Sequence, residues 1–250
     1  MFRGIKSLME SLLMFIKGLV GNRQMIMKIL MACGFSMFAI LPIRAGSQRV
    51  NNKNITPVNN KPLYTYIVET LKQVKQVDKI IINTDYKIIH DAFSHDSRVD
   101  VMNREENLRG NCNINLVINE VLRNYQCEYF LQTHATNPLL KVNTISTAIN
   151  VFFEGLKNTH DSLFSVTKVQ KRFWSEQPAP INHKIADEPT TQNLETMYEE
   201  NSCFYIFSRS SFENHQNRIG ARPCIFPISK AEAIDIDDEE DLQIVKKLMA

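Results

Sequence analysis

Residues 35–54 read Phe35-Ser36-Met37-Phe38-Ala39-Ile40-Leu41-Pro42-Ile43-Arg44-Ala45-Gly46-Ser47-Gln48-Arg49-Val50-Asn51-Asn52-Lys53-Asn54. Phe35 to Leu41 is an apolar run with the length of a buried strand, and a cationic loop leaves its carboxyl end. Gly46 lets the backbone turn so that successive N–H groups face an anion, while Arg44, Arg49 and Lys53 add positive charge beside a low-dielectric strand end. That composition suits a polyphosphate. The loop is neither a Walker motif, since no Gly-Lys-Ser/Thr follows, nor a G-x-G-x-x-G turn. On spacing alone a solvated basic loop accounts for it as well as a phosphate site does.

Downstream of this loop, short apolar runs alternate with helix-period segments, the pattern of βαβ units around a mostly parallel sheet. Leu63, Ile67, Leu71 and Val74 recur on one helical face, with Pro62 where a first-turn proline is tolerated. Lys79 to Thr84 reads as a buried strand ending at Asp85, and Ile88, Ile89, Ala92 and Phe93 mark a helix. Val99 to Met102 and Tyr129 to Gln132 read as strands, with helices over Asn113 to Arg123 and Val142 to Leu156, up to Leu163-Phe164-Ser165-Val166. The rhythm breaks over residues 168–197, which carry Pro178, Pro180 and Pro189 and no clean period. A segment of that length without structure of its own is expected to be an arm or lid. Cys203 to Phe207 resumes a strand, Cys224 to Ile228 with Pro227 suits a sheet edge, and Glu239 to Met249 closes the chain as a helix.

Length and composition narrow the function. The chain of 250 residues is long enough for one α/β domain, expected over residues 35–250. With 29 basic and 27 acidic residues there is no global field to hold nucleic acid, so any phosphate site depends on local geometry. Five cysteines are scattered without a C-x-x-C pair, which argues for reduced thiols in a cytoplasmic protein and against a zinc site. Residues 1–34 form an apolar but Lys28-containing extension without a small-residue cleavage site before the first strand. It is expected to be a non-catalytic, amphipathic or poorly ordered segment in preference to a membrane anchor.

The stretch Arg44-Ala45-Gly46-Ser47-Gln48-Arg49-Val50 with Lys53-Asn54 resembles the R-G-G-S-K-R-x-x-x-K-N signature of acylneuraminate cytidylyltransferases, the CMP-sialic acid synthetases. Asn60-Lys61-Pro62-Leu63 is similar to that family's G-K-P-L, Ile82-Asn83-Thr84-Asp85 to its V-S-T-D, and Leu131-Gln132 through Pro138-Leu139 to its L-Q-P-T-S-P-L. Tyr198-Glu199-Glu200-Asn201 resembles its Y-x-x-N. Ile234-Asp235-Ile236-Asp237-Asp238-Glu239-Glu240-Asp241 resembles its I-D-I-D-T-E-E-D. The likeness runs in register over about residues 37–250.

The resemblance implies a three-layer, Rossmann-like α/β domain of the nucleotide-diphospho-sugar transferase type, with a protruding dimerisation arm. It implies transfer of CMP from CTP to the anomeric hydroxyl of a sialic-acid-like nonulosonic acid, with release of pyrophosphate. Arg44, Ser47, Gln48 and Arg49 would line the triphosphate loop, Lys53 and Asn54 would contact phosphate and nucleotide, and Arg104 would hold the cytidine end. Arg44 and Lys53 would also stabilise charge during transfer, Gln132 and Tyr198 would face the sugar acid, and Asp235 and Asp237 would bind Mg²⁺. The metal assignment has its own physical basis, because residues two apart on an extended segment project to one side. For Asp238 to Asp241 the better reading is a helix start, where acids favour the dipole. A homodimer is expected, with each arm reaching the partner's site.

Gln48 stands in place of the usual Lys, Leu140 in place of an Arg, and Thr191-Gln192 in place of a common Arg-Gln pair. A guanidinium normally grips a substrate carboxylate, so the missing arginines bear on the identity of the acid. An eight-carbon ulosonate such as Kdo is an alternative acceptor, and a non-catalytic nucleotide-sugar-binding relative is an alternative function.

Overall fold

A computed structural model describes residues 36–46, 50, 52–156, 159–186 and 190–249. The extension over residues 1–34 lies outside the described residues, as do Ser47, Gln48 and Arg49. The first strand, β1 (Met37–Ile43), sends Met37, Ala39, Leu41 and Ile43 into one core and Ile40 into another, so both of its faces are buried. That double burial explains why the run is apolar at nearly every position instead of alternating with polar residues.

A small hairpin of β2 (Pro57–Val58) and β3 (Lys61–Pro62) leads into helix α1 (Leu63–Gln73). Pro62 is the residue that starts this helix, a place where its missing N–H costs nothing. Then follow β4 (Lys79–Thr84), α2 (Lys87–Phe93), β5 (Val99–Asn103), α3 (Ile114–Asn124), β6 (Tyr129–Thr133) and α4 (Val142–Gly155). β7 (Ser162–Val169), β8 (Met197–Ser208), α5 (Arg209–His215), β9 (Pro223–Ile228) and α6 (Glu239–Leu248) complete the described elements.

Seven strands form one sheet in the order β5-β4-β1-β6-β8-β7-β9. All pair in parallel except β8, which runs antiparallel to both β6 and β7. The expected mostly parallel α/β architecture is therefore present. α1 and α4 pack on one face, through residues such as Ile67, Leu71, Ile145 and Phe152. α3 and α5 cover the other through Ile118, Val121 and Phe212. β1 sits between β4 and β6, where the chain reverses its direction of travel across the sheet. In open α/β sheets the crevice outside the carboxyl end of such a strand is where ligands bind.

Three features differ from the sequence expectation. β8 is 12 residues long, because Met197, Tyr198 and Glu199 pair with Val169, Lys168 and Thr167 at the base of the arm. The arm expected over 168–197 thus rises from a two-stranded ladder, which alternating polar residues on an exposed ribbon do not announce. The register of β7 on β8 shifts between Phe164 and Val166, and Asn201 stitches that irregularity: its side chain accepts from Ser165 Oγ at 2.6 Å and donates to Thr167 Oγ1 at 3.0 Å. Finally, α5 went unanticipated; it is only seven residues long and starts at Ser208, whose hydroxyl accepts from Ser211 N. β9 is the edge strand expected from Pro227 and pairs with β7 alone.

Candidate active site

Two partners hold the described start of the loop after β1. Ala45 N donates to Asp85 Oδ1 at 2.6 Å, and Asn54 Nδ2 donates to the Arg44 carbonyl at 3.0 Å. Gly46 has φ of +74°, a conformation a Cβ would strain. Asp85, at the end of β4, thus supports the loop. Arg44, Lys53 and Asn54 line a cleft of about 310 Å³ with Arg104, Gly110, Asn111, Cys112, His134, Thr136, Asp235 and Asp237. A volume of that size accommodates one small ligand.

Arg104 is only 4% exposed, yet it lines this cleft. Its Nε donates to Asn83 Oδ1 at 2.6 Å and its Nη2 to the Asn83 carbonyl at 3.1 Å, while Asn83 Nδ2 donates to Glu120 Oε2 at 2.8 Å. Burial lowers the Arg104 pKa, and the nearby carboxylates of Asp85 and Glu120 oppose that. The guanidinium is therefore a fixed donor in one wall, set by a buried polar chain from β4 and α3.

Asp235 and Asp237 line the same cleft. Residues 234–237 form neither helix nor strand, and Ile236 N donates to the Thr136 carbonyl at 3.0 Å. Ile236 turns into a third apolar cluster with Val58, Leu63, Leu242 and Val245. The two flanking aspartates both line the cleft. Asp235 Oδ1 is buried without a hydrogen-bond partner. Burial raises its pKa first of all, and a hydrogen bond with Thr136 and the charge of Lys53 pull the other way. Lys53 Nζ donates to the Ile236 carbonyl and lies 3.4 Å from Asp237 Oδ1.

An orphaned buried carboxylate oxygen beside a second carboxylate could hold a hard cation. Among the described residues there is no group of three His, Cys, Asp or Glu fit to hold a metal. Two carboxylates alone suit a magnesium-type ion, which takes its remaining ligands from water and phosphate. They do not suit a structural zinc, which needs four protein ligands. The acidic run that follows has a different task. Asp238 caps α6 by accepting from Asp241 N at 3.0 Å, and Asp241 Oδ2 accepts from the backbone of Asp237 and Asp238.

A second, larger cleft of about 730 Å³ adjoins this one and is bounded by Lys171, Phe173, Tyr198, Glu200, Lys230 and Ile234, among others. Asp235 and Asp237 line both clefts. Tyr198 stands here, 46% exposed on β8. Gln132, expected to face the sugar acid, lines neither cleft; it is fully buried with both ends of its amide occupied. Its place on the central strand β6, covered on both faces, takes it out of reach. Leu140 is 2% exposed in the core. Thr191 lies in an exposed 3-10 turn. Among the residues that sequence reasoning passed over, Lys171 and Lys230 bring cations to the second cleft and His134 brings a ring to the first. Only His134 had a local signal, its position at a strand end.

Comparison with known proteins agrees with this geometry. The family model described as Cytidylyltransferase matches residues 38–248. The chain is 27% identical over 228 residues to the CMP-N,N'-diacetyllegionaminic acid synthase of Legionella pneumophila, covering 85% of this chain and 96% of that protein. It is 24% identical over 223 residues to the N-acylneuraminate cytidylyltransferase of Escherichia coli, covering 83% of this chain and 51% of that longer protein. The solved structure of CMP:2-keto-3-deoxy-manno-octonic acid synthetase complexed with CTP superposes with a TM-score of 0.63 at 14% identity, covering 86% of this chain and 98% of that one. The match spans the β1 loop, both clefts and the aspartate pair: the chain belongs to the cytidylyltransferase family and is a nucleotidyltransferase.

Proposed function

We propose that the protein transfers the cytidylyl group of CTP to the anomeric hydroxyl of a sialic-acid-like nonulosonic acid, with Mg²⁺ held at Asp235 and Asp237. The observation that carries this reading is the meeting of two clefts at those carboxylates, one walled by cations and one open to the arm. In this reading CTP occupies the first cleft. Arg104 faces the cytidine end, Arg44 and Lys53 face the phosphates, and Ser47, Gln48 and Arg49 complete the loop. The acid occupies the second cleft beside Tyr198, where Lys171 and Lys230 supply positive charge for its carboxylate in place of the absent arginines.

The anomeric oxygen then attacks the α-phosphorus, the bond to the β-phosphate oxygen breaks, and pyrophosphate leaves with that electron pair. Lys53, within reach of Asp237, and Arg44 stabilise the charge that develops on the phosphoryl oxygens, and the two walls hold donor and acceptor in line. A bound Mg²⁺ supplies Lewis-acid stabilisation of the phosphates. The carboxylate pair is the nearest proton acceptor for the attacking hydroxyl. Relatives of similar length named for legionaminic and pseudaminic acids support a nonulosonic acceptor. The protein works as a cytoplasmic homodimer, with exposed Trp174, Ile181 and Ile185 of the arm as apolar contact residues.

The test is pyrophosphate release from CTP and Mg²⁺ with a panel of nonulosonic acids and an eight-carbon ulosonate. Release with a nine-carbon acid is the expected result. Preference for the ulosonate would reassign the acceptor, and CTP binding without release on any acid would make the protein a non-catalytic relative.

A further inference from the structure

His134 stands at the carboxyl end of β6 and lines the same cleft as Arg44, Lys53 and Arg104. Its Nε2 is 3.0 Å from Gln132 Nε2. Which of those atoms donates follows from the neighbours. Arg218, on the segment between α5 and β9, places Nη1 against Gln132 Oε1, and a guanidinium only donates. Gln132 Nε2 is 3.0 Å from the Thr133 carbonyl, which only accepts. Both contacts set the amide with its oxygen toward Arg218 and its nitrogen toward His134. An amide nitrogen cannot accept, so His134 Nε2 is the acceptor and the ring proton sits on Nδ1. The His134 side chain is partly exposed, and its Nδ1 makes no hydrogen bond among the described residues.

Arg218 is itself locked. Its guanidinium carbon lies 3.5 Å from the centroid of the fully buried Tyr205 ring, and the Tyr205 hydroxyl donates to Glu200 and accepts from Ser202 Oγ. Its backbone N donates to Asn115 Oδ1 of α3 at 3.2 Å. The result is a relay from a side chain fixed by β8 and α3, through the centre of the sheet, to an imidazole at the cleft.

We propose that His134 is a neutral Nδ1–H donor to a phosphate oxygen of the bound nucleotide, and that Gln132 and Arg218 are positioning residues that hold it in this tautomer. The inference rests on CTP as the occupant of the first cleft. Its chemistry fits the surroundings: three cations already attract the polyanion, and a neutral donor adds direction without adding repulsion among them. Desolvation, with the charges of Arg218 and Lys53, holds the ring's pKa at about 3, so the donor stays neutral over the working range.

Two measurements on the full chain test it. In the ¹⁵N-labelled protein without nucleotide, long-range ¹H–¹⁵N correlation should show His134 as a single Nδ1–H neutral ring from pH 5 to 9. An Nε2–H pattern or an imidazolium signal in that range would overturn the proposal. Arg218→Met, which removes one of the two contacts that orient the Gln132 amide, should give a mixture of tautomers, whereas an unchanged Nδ1–H pattern would remove Arg218 from the account. The second measurement is CTP affinity by calorimetry with no acid present. Asn places its amide nitrogen where Nδ1 sits and Gln places it where Nε2 sits. His134→Asn should therefore stay within about threefold of the parent, and His134→Gln should weaken binding by about 10- to 100-fold, the loss expected for a hydrogen bond to a charged group. Equal loss in two variants with native melting curves would sink the directional role. A parent protein that binds no CTP would count against the nucleotide cleft, and the tautomer result would still stand or fall separately.

Discussion

Asp235, Asp237 and Asp238 are near neighbours with different surroundings. Asp235 has an oxygen buried without a partner, Asp237 faces Lys53, and Asp238 caps a helix in the open. Asp235→Asn and Asp237→Asn should each reduce pyrophosphate release by about 100-fold or more, the scale of losing a transition-state charge contact. Wild-type turnover of both at limiting Mg²⁺ would refute the assignment. His134 supplies a pH test of its own. Its folded-state pKa of about 3 lies below the ordinary 6.5, so the unfolded chain takes up a proton first as pH falls. Stability from the neutral ring is complete above about pH 6.5 and is lost as pH falls toward 3. Because one edge of the ring faces the cleft, the effect at pH 5 should be on the order of 1 kcal/mol. Thermal melts of the parent and of His134→Asn should thus converge between pH 7 and pH 5; parallel curves would contradict the depressed pKa.

At the scale of elements, the start of α6 was legible in advance because its cap is local: Asp238 and Asp241 are three residues apart and satisfy each other's backbone N–H. Asp238→Ala should cost about 1 kcal/mol in denaturant unfolding and leave turnover within about twofold of the parent. A loss of turnover as large as that of Asp237→Asn would place Asp238 in the site. The strands β1, β4 and β6 were equally readable, since burial on both faces leaves an unbroken apolar run. β8 was legible only in its buried half. Its outer residues, Met197 to Glu199, gain strand structure from pairing with β7 and not from their own pattern.

At the scale of the whole molecule, the arm leaves the sheet between β7 and β8 and presents Trp174 at 50% exposure with Ile181 and Ile185 close in sequence. Apolar side chains of that size on one projection favour a second copy of the chain over solvent. Sedimentation equilibrium should give a dimer, and Trp174→Asp with Ile181→Asp should shift it toward monomer while the far-ultraviolet dichroism stays native. A parent protein that sediments as a monomer at micromolar concentration would reject the arm as an interface.

Sequence alone determined the α/β class, the order of most strands and helices, the cationic loop after β1 and the paired aspartates, because each is written in periodicity or in spacing over a few residues. Tertiary structure decided which of the named residues meet. Lys53 touches Ile236 across 183 positions and Arg218 orients Gln132 across 86, distances over which no local pattern carries information. It also moved Gln132 from the expected acceptor site into the sheet, placed Leu140 in the core, and brought Lys171, Lys230 and His134 to the clefts. The physical reason is the same in each case: a side chain's chemistry is set by what the fold packs around it, and that packing is built from elements far apart in the chain.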